Sequence, residues 1–334
     1  MGESGEPRKS ELALASEQAM VVQTPGGRIH VRWDEGASGT PHGQFVFFAE
    51  FLATAGLFER WVQGCPLRYT SPNASMARDV LGTLMVGILA GSRRYAHIGS
   101  VRGDTVAAQA LGMSKLVSED SVRRALKAMP QHDSENWMRE ALMHSVRQAL
   151  EQPWVMDLDV TIKPLYGHQQ GAEVGFNPHK PGRPSHALHT YWVGNLRLVL
   201  DAELLSGKEH SSRHGLPALE RVLDELGPDK QPRLVRGDCG YGNEDVIALC
   251  EGRDLRYLLR LRQTSNVKRL IERVFKREGW TRATELSQGW QAIEDEIKLQ
   301  GWSRKRRVVV LRRRIKRDVA VAAEREGQQM VLAL

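Results

Sequence analysis

Residues 154–167 read WVMDLDVTIKPLYG, with two aspartates, Asp157 and Asp159, inside an otherwise apolar run. A carboxylate taken out of water without a partner is costly, so this segment must keep one side apolar and the other polar. A strand does so, because its side chains alternate between faces. Met156, Leu158, Val160 and Ile162 then share a core face, and Val155, Asp157, Asp159 and Thr161 share the other. The two carboxylates lie roughly 7 Å apart along the strand. The pattern predicts a strand that carries a site.

A second acid sits in PRLVRGDCGYGNED. Leu234 and Val235 read as a short strand. Gly237, Gly240 and Gly242 around Asp238 permit a tight turn, and Asn243 can cap a following helix. Asp238 therefore follows the C-terminal end of a strand, where open α/β sheets place their ligand crevices. Two carboxylates brought to about 4 Å repel by roughly 4 kcal/mol at an effective dielectric near 20. A divalent cation turns that repulsion into coordination. Mg²⁺ accepts a few carboxylate oxygens, waters and phosphates, and paired ions suit phosphodiester displacement. On chemistry alone the alternative stays open, that Asp159 and Asp238 are turn-capping or salt-bridged acids.

The totals narrow the partners. The chain has 334 residues, net charge +7, 41% apolar and 26% charged residues, which suits two or three globular domains and favours a polyanionic partner. Three scattered cysteines, Cys65, Cys239 and Cys250, argue against a disulfide framework or a thiolate zinc site. Without a signal-peptide core or an apolar run of membrane-spanning length, the expectation is a cytoplasmic, nucleoid-associated protein with no membrane partner.

Organisation changes along the chain. Residues 1–20 read as a flexible tail. MVVQTPGGRIHVRWDE predicts a hairpin, and residues from Gly43 to Gln148 read as mainly helical, with Ser118 as an N-cap. A boundary is expected near Gln152-Pro153. Beyond it, short strands alternate with helices near 215–226 and 244–252, an α/β pattern. TYWVGNLRLVLDAEL reads as one strand-like run, and 280–317 as strand-like with a basic end.

At DLDVTIKPLYGHQ, NPHKPGRPSH and RGDCGYG the chain resembles the DDE transposases of bacterial insertion sequences, transposase DDE domain group 1, of the insertion-sequence thirteen-eighty type. The resemblance runs from about Met20 to the C-terminus. It implies an α/β fold: an RNase H-like catalytic core (151–265) behind a mainly helical N-terminal DNA-binding region (21–150), then a partial β-rich insertion (266–334). It implies catalytic and metal-holding roles for Asp159, in its D-x-T context, and Asp238, in its G-D context, with Mg²⁺ as cofactor and Mn²⁺ as a substitute. Asp157 is left as an outer-shell acid or a solvent-facing one. The third catalytic residue of the family is a glutamate on a helix after the insertion. No such helix is found here, and Glu294, Glu296, Glu324 and Glu326 read as surface acids. The expectation is thus a C-terminally truncated transposase with impaired catalysis.

Basic residues supply candidate DNA contacts. HKPGRPSH (179–186) reads as a stiff exposed loop offering Lys180 and Arg183 to phosphate, or as an ordinary surface turn. The pair of helices at 106–129 reads as a helix-turn-helix presenting Arg123, Arg124 and Lys127, a pattern many helix pairs share. RKRRVVVLRRRIKR (304–317) offers Arg306, Arg307, Arg312, Arg313 and Arg314, or else serves as a solvated sheet edge.

The implied activity is hydrolysis of a phosphodiester at the element end, then attack of the freed 3′-hydroxyl on target DNA. The expected partners are double-stranded DNA, as terminal inverted repeats and target, and further copies of the chain in a synaptic complex. Two other readings remain: a catalytically dead DNA-binding remnant that inhibits full-length transposase, and a nuclease of the same fold.

Overall fold

The computed structural model describes residues 20–25, 27–31, 36, 38–69, 71, 73–177, 180–209, 211–281 and 289–314. The expected tail before Met20 lies outside them, as do Glu324 and Glu326. The chain divides into two compact units, Met1–Trp137 and Met138–Leu334.

The first unit opens with the expected hairpin, β1 (Met20–Thr24) and β2 (Gly27–Val31), paired antiparallel. Helices follow: α1 (Phe45–Thr54), α2 (Leu57–Gln63), α3 (Ala77–Leu89), α4 (Thr105–Ala110) and α5 (Glu119–Ala128). Gly56, at φ 64°, separates α1 from α2 in the left-handed region that glycine tolerates. Ser118 caps α5 as expected, accepting from the Ser121 N–H. The α4–α5 connection is tied down by α3. Asp79, buried, accepts from the Ser114 N–H and hydroxyl, and the Thr83 hydroxyl accepts from the Val117 N–H. Val122 and Ala125 face inward from α5 onto Val80, Ile98 and Val117. That leaves Arg123, Arg124 and Lys127 exposed. Helix α6 (Gln131–Val146) spans the division between the units.

The second unit is built on a six-stranded mixed sheet. Its strands are β3 (Val155–Pro164), β4 (Glu173–Val174), β5 (Pro184–Val193), β6 (Leu198–Ser206), β7 (Leu234–Gly237) and β8 (Tyr257–Leu259). β5 pairs antiparallel with both β3 and β6, whereas β7 lies parallel to β3 and β8 parallel to β7. Three antiparallel strands extended by two parallel ones are the RNase H-like arrangement. Helices α7 (Ser211–Leu226) and α8 (Glu244–Gly252) link β6 to β7 and β7 to β8.

One face of the sheet is the core. Met156, Leu158, Tyr191, Val193 and Val235 pack there with Leu219, Val222 and Leu223 of α7 and Val246 and Cys250 of α8. The strand-like run from Thr190 to Leu204 is two strands, because Gly194–Arg197 form a turn with Arg197 in the left-handed region. The supposed basic loop at 179–186 is shorter than expected. β5 starts at Pro184, and Ser185 is fully buried; His179 lies outside the described residues.

Helix α9 (Ser265–Phe275) then packs its apolar stripe, Val267, Leu270, Ile271 and Val274, onto a hairpin of β9 (Trp290–Ile297) and β10 (Arg306–Arg313). Among the described residues no helix is long and apolar enough to cross a membrane.

Candidate active site

The site follows from strand register. β3 and β7 run parallel, with Asp157 opposite Arg236 and Leu158 opposite Gly237. The next residue on each is an aspartate, Asp159 and Asp238. Neighbouring strands lie about 4.8 Å apart, so the register brings these two acids side by side where β7 ends. Both are exposed. Asp159 lies on the face opposite the core, as the alternation predicts.

Each acid is held by its backbone. The Thr190 hydroxyl donates to the Asp159 carbonyl at 3.4 Å, and the Asp159 carboxylate has no protein partner among the described residues. Asp238 begins a tight loop: one of its carboxylate oxygens accepts from the Gly240 N–H at 2.9 Å, and its carbonyl from the Tyr241 N–H. Asn243 closes the loop by capping α8, accepting from the Val246 N–H. The glycines serve close approach more than unusual dihedrals. A Cβ on Gly242 would stand 2.4 Å from the Arg260 carbonyl, and one on Gly237 would stand 3.0 Å from Tyr241.

Tyr241 is the anchor that sequence reasoning missed. Its ring is fully buried in the core beneath the loop. Burial drives its hydroxyl pKa far up, helped by the charges of Asp238, Asp159 and Glu203. The signal present in the sequence is the single aromatic, Tyr241, inside the glycine turn GDCGYG.

Asp157 differs from its neighbour. Arg236 grips both its oxygens, Nε to Oδ1 and an Nη to Oδ2, each at 2.6 Å. This hydrogen bond in turn raises the Arg236 pKa. The expectation that Asp157 simply faces solvent is therefore corrected: its charge is matched across the strands. Gly194 makes the room, since a Cβ there would meet Asp157 Oδ2 at 2.1 Å.

The core face holds a second acidic group. Glu203 and Asp201 of β6 are buried, with Arg139, Arg221 and His214 around them. Arg139 reaches Glu203 at 2.7 Å, Arg221 at 2.8 Å and His214 Nε2 at 2.6 Å. Burial pushes the Glu203 pKa up, but the His214 hydrogen bond and the Arg221 and His214 charges outweigh it and hold it at about 2.

No three acids, histidines or cysteines cluster as a metal site among the described residues. Glu294 is held by Arg307, and Glu296 is exposed on β9.

The basic residues fall into distinct settings. Lys180 is exposed, and the Arg183 guanidinium lies over the Tyr166 ring. Arg123 pairs with Asp120. Arg307, Arg313 and Arg314 are exposed, with Arg313 over the Trp290 ring. Arg312 lies over Trp280 and bonds Gln291 and the Phe275 carbonyl. Arg306 does not fit its expected role in DNA contact. Its side chain is 4% exposed and clamped by Glu244 and Glu251 of α8, so no phosphate can reach it. Both glutamates drop to a pKa of about 2, chiefly through the Arg306 hydrogen bonds.

The sequence matches the family model for the transposase DDE domain group 1 over residues 25–322. The chain belongs to that family. No curated protein matches it. Among solved structures it is similar to a piggyBac transposase in a synaptic complex with hairpin DNA, at 13% identity and TM-score 0.35, covering 88% of this chain and 67% of that one. It is also similar to the Mos1 mariner paired-end complex with Mn, at 14% identity and TM-score 0.21, covering 71% and 91%. A chain of the simian T-cell lymphotropic virus intasome matches at 16% identity and TM-score 0.23, and this chain spans 37% of its length.

Proposed function

We propose that this transposase cuts and joins DNA at the ends of its element, with Asp159 and Asp238 as the catalytic carboxylates. The observation that carries the proposal is the β3–β7 register, which brings two exposed acids to neighbouring positions where β7 ends.

The donor set fits a divalent cation. Among the described residues Asp159 offers a carboxylate with no protein partner, and Asp238 has one oxygen steadied by Gly240 and the other left over. Hard oxygen donors of this kind suit Mg²⁺ or Mn²⁺. When bound, such an ion offsets charge at the scissile phosphate and favours the attacking oxygen. The protein's own part is positional. The Gly240 N–H orients Asp238, Tyr241 anchors the loop, and Arg236 keeps Asp157 from adding a third uncompensated charge.

DNA contact is assigned to Arg123, Arg124 and Lys127 on α5, to Lys180 and Arg183, and to Arg307, Arg312, Arg313 and Arg314. Such cations supply affinity and salt dependence. The substrates are terminal inverted repeats and target DNA, bound by more than one copy of the chain in the cytoplasm.

The test uses the purified chain, Mg²⁺ or Mn²⁺, and a labelled duplex ending in the element's inverted repeat. Metal-dependent nicking at the end, lost in Asp159→Asn and Asp238→Asn, supports the proposal. Nicking that survives both substitutions overturns it.

A further inference from the structure

We propose that Tyr166 and Arg183 form a stacking platform for an unpaired DNA base just beyond the end of the strand that carries Asp159. The inference rests on the transposase reading above and names the form of DNA that the site takes.

The platform is built by the end of β3. The Leu165 N–H donates to the Pro184 carbonyl at 3.0 Å, which pins the departing chain against β5. The next residue, Tyr166, is 73% exposed. The Arg183 guanidinium lies 4.3 Å from its ring centroid, so one face is backed by a cation and the rest meets water. The open face of a ring already backed by a guanidinium is a ready surface for a second π-system.

The surroundings select a polyanion. Lys163 is exposed and alternates onto the same strand face as Asp159, and Lys180 is exposed beyond Asn177, whose side chain accepts from its N–H. The acid of this edge, Glu173, is already matched by Lys208 at 2.7 Å. Phe176, 64% exposed, follows Val174, which pairs with Pro184 on the other side of β5. Aromatic rings among cations are the surface on which single-stranded nucleic acid stacks, whatever its sequence.

Spacing relates the platform to the acids. Asp159 and Pro164 are five residues apart on one strand, about 17 Å at ~3.4 Å per residue. That equals about five base steps of duplex. A strand whose phosphate meets Asp159 and Asp238 therefore reaches Tyr166 a few nucleotides away. Inside a duplex both faces of a base are covered by its neighbours, so an unpaired base, free on both faces and able to swing out, is the form that suits the platform.

The test compares binding of the full chain to a blunt duplex and to the same duplex with a few unpaired nucleotides at one end, by fluorescence anisotropy. The forked form should bind tighter by about 5- to 150-fold, the range for stacking one base. Tyr166→Ala should abolish that preference and leave blunt-duplex affinity and the melting temperature unchanged. Tyr166→Phe should keep the preference. Equal binding of both forms by the parent chain, or a preference that survives Tyr166→Ala, overturns the platform and leaves the transposase reading standing. Failure to bind either form overturns both.

Discussion

The two faces of one sheet use carboxylates in opposite ways. On the core face, Asp201 and Glu203 are buried, and Arg139, Arg221 and His214 occupy their oxygens. Asp159 on the other face and Asp238 just past the end of β7 stand exposed, with one backbone hydrogen bond to a carboxylate between them among the described residues. A buried acid without such partners would be intolerable, so the first pair is fully committed to the protein. The exposed pair is left with oxygens to give to something else. Residue type is therefore no guide to role here. What decides it is how many of the lone pairs the protein itself has used.

Breaking the buried group should have the largest effect. Glu203→Ala leaves two arginines facing a cavity, and removal of one member of a buried ionic cluster costs about 3–5 kcal/mol. Thermal or urea unfolding of the second unit measures this, and Glu203→Gln should cost less because it still accepts hydrogen bonds. A loss below about 1 kcal/mol would show that Glu203 is dispensable to the core and that the contrast between the faces is false. The exposed pair should behave in the reverse manner. Asp159→Asn and Asp238→Asn should each lower metal-dependent nicking by roughly 10²–10³-fold, equivalent to about 3–4 kcal/mol. Their melting temperatures should stay level or rise slightly, because a like-charge repulsion is removed.

The same contrast explains what the sequence disclosed. Alternation in VMDLDVTI is enough to place Asp159 opposite the core, because a strand has only two faces. GDCGYGN is enough to place Asp238 past a strand, because its glycines and the Asn243 cap are local devices. Which acids are already paired depends on contacts far apart in the chain. Arg236 lies 79 residues from Asp157, and Arg306 lies 62 from Glu244. No periodicity reports such contacts, which is why Arg306 resembled a phosphate ligand inside a run of nine basic residues in fourteen. The turn at Gly194–Arg197 was hidden for a related reason. Its flanks are apolar on both sides, so strand and strand merge into one pattern.

Acid titration separates the faces again. The Glu203 pKa is held at about 2 in the folded chain, below the ordinary glutamate value of about 4.3. A depressed folded pKa adds stability that is fully present above the unfolded pKa and lost as pH falls through the folded one. The second unit should therefore weaken between about pH 5 and pH 2, by up to roughly 3 kcal/mol from this residue. Glu244 and Glu251 shift the same way, but partial exposure and solvent screening make their share small. Urea midpoints measured across that window should flatten in Glu203→Gln. An unchanged slope would mean that Glu203 is not ionised in the native core.

The contrast extends to the cations, with the smallest effects. Arg306 is already neutralised by Glu244 and Glu251, whereas Lys180 is exposed. Arg306→Ala should cost about 2 kcal/mol in stability, since it removes charged hydrogen bonds that tie the β9–β10 hairpin to α8. It should leave the salt dependence of DNA binding untouched, because no counterion is displaced there. Lys180→Ala should do the opposite. Stability should stay within about 0.5 kcal/mol, and the slope of log affinity against log salt should fall by about one. Both quantities come from a salt titration by anisotropy and a melting curve on the same samples. If Arg306→Ala lowers the salt slope as much as Lys180→Ala, the clamp opens in solution, and the arginine is free to meet phosphate. If neither changes it, phosphate contact lies with the other exposed cations assigned to DNA, Arg123, Arg124, Lys127, Arg307, Arg313 and Arg314, which the same titration ranks.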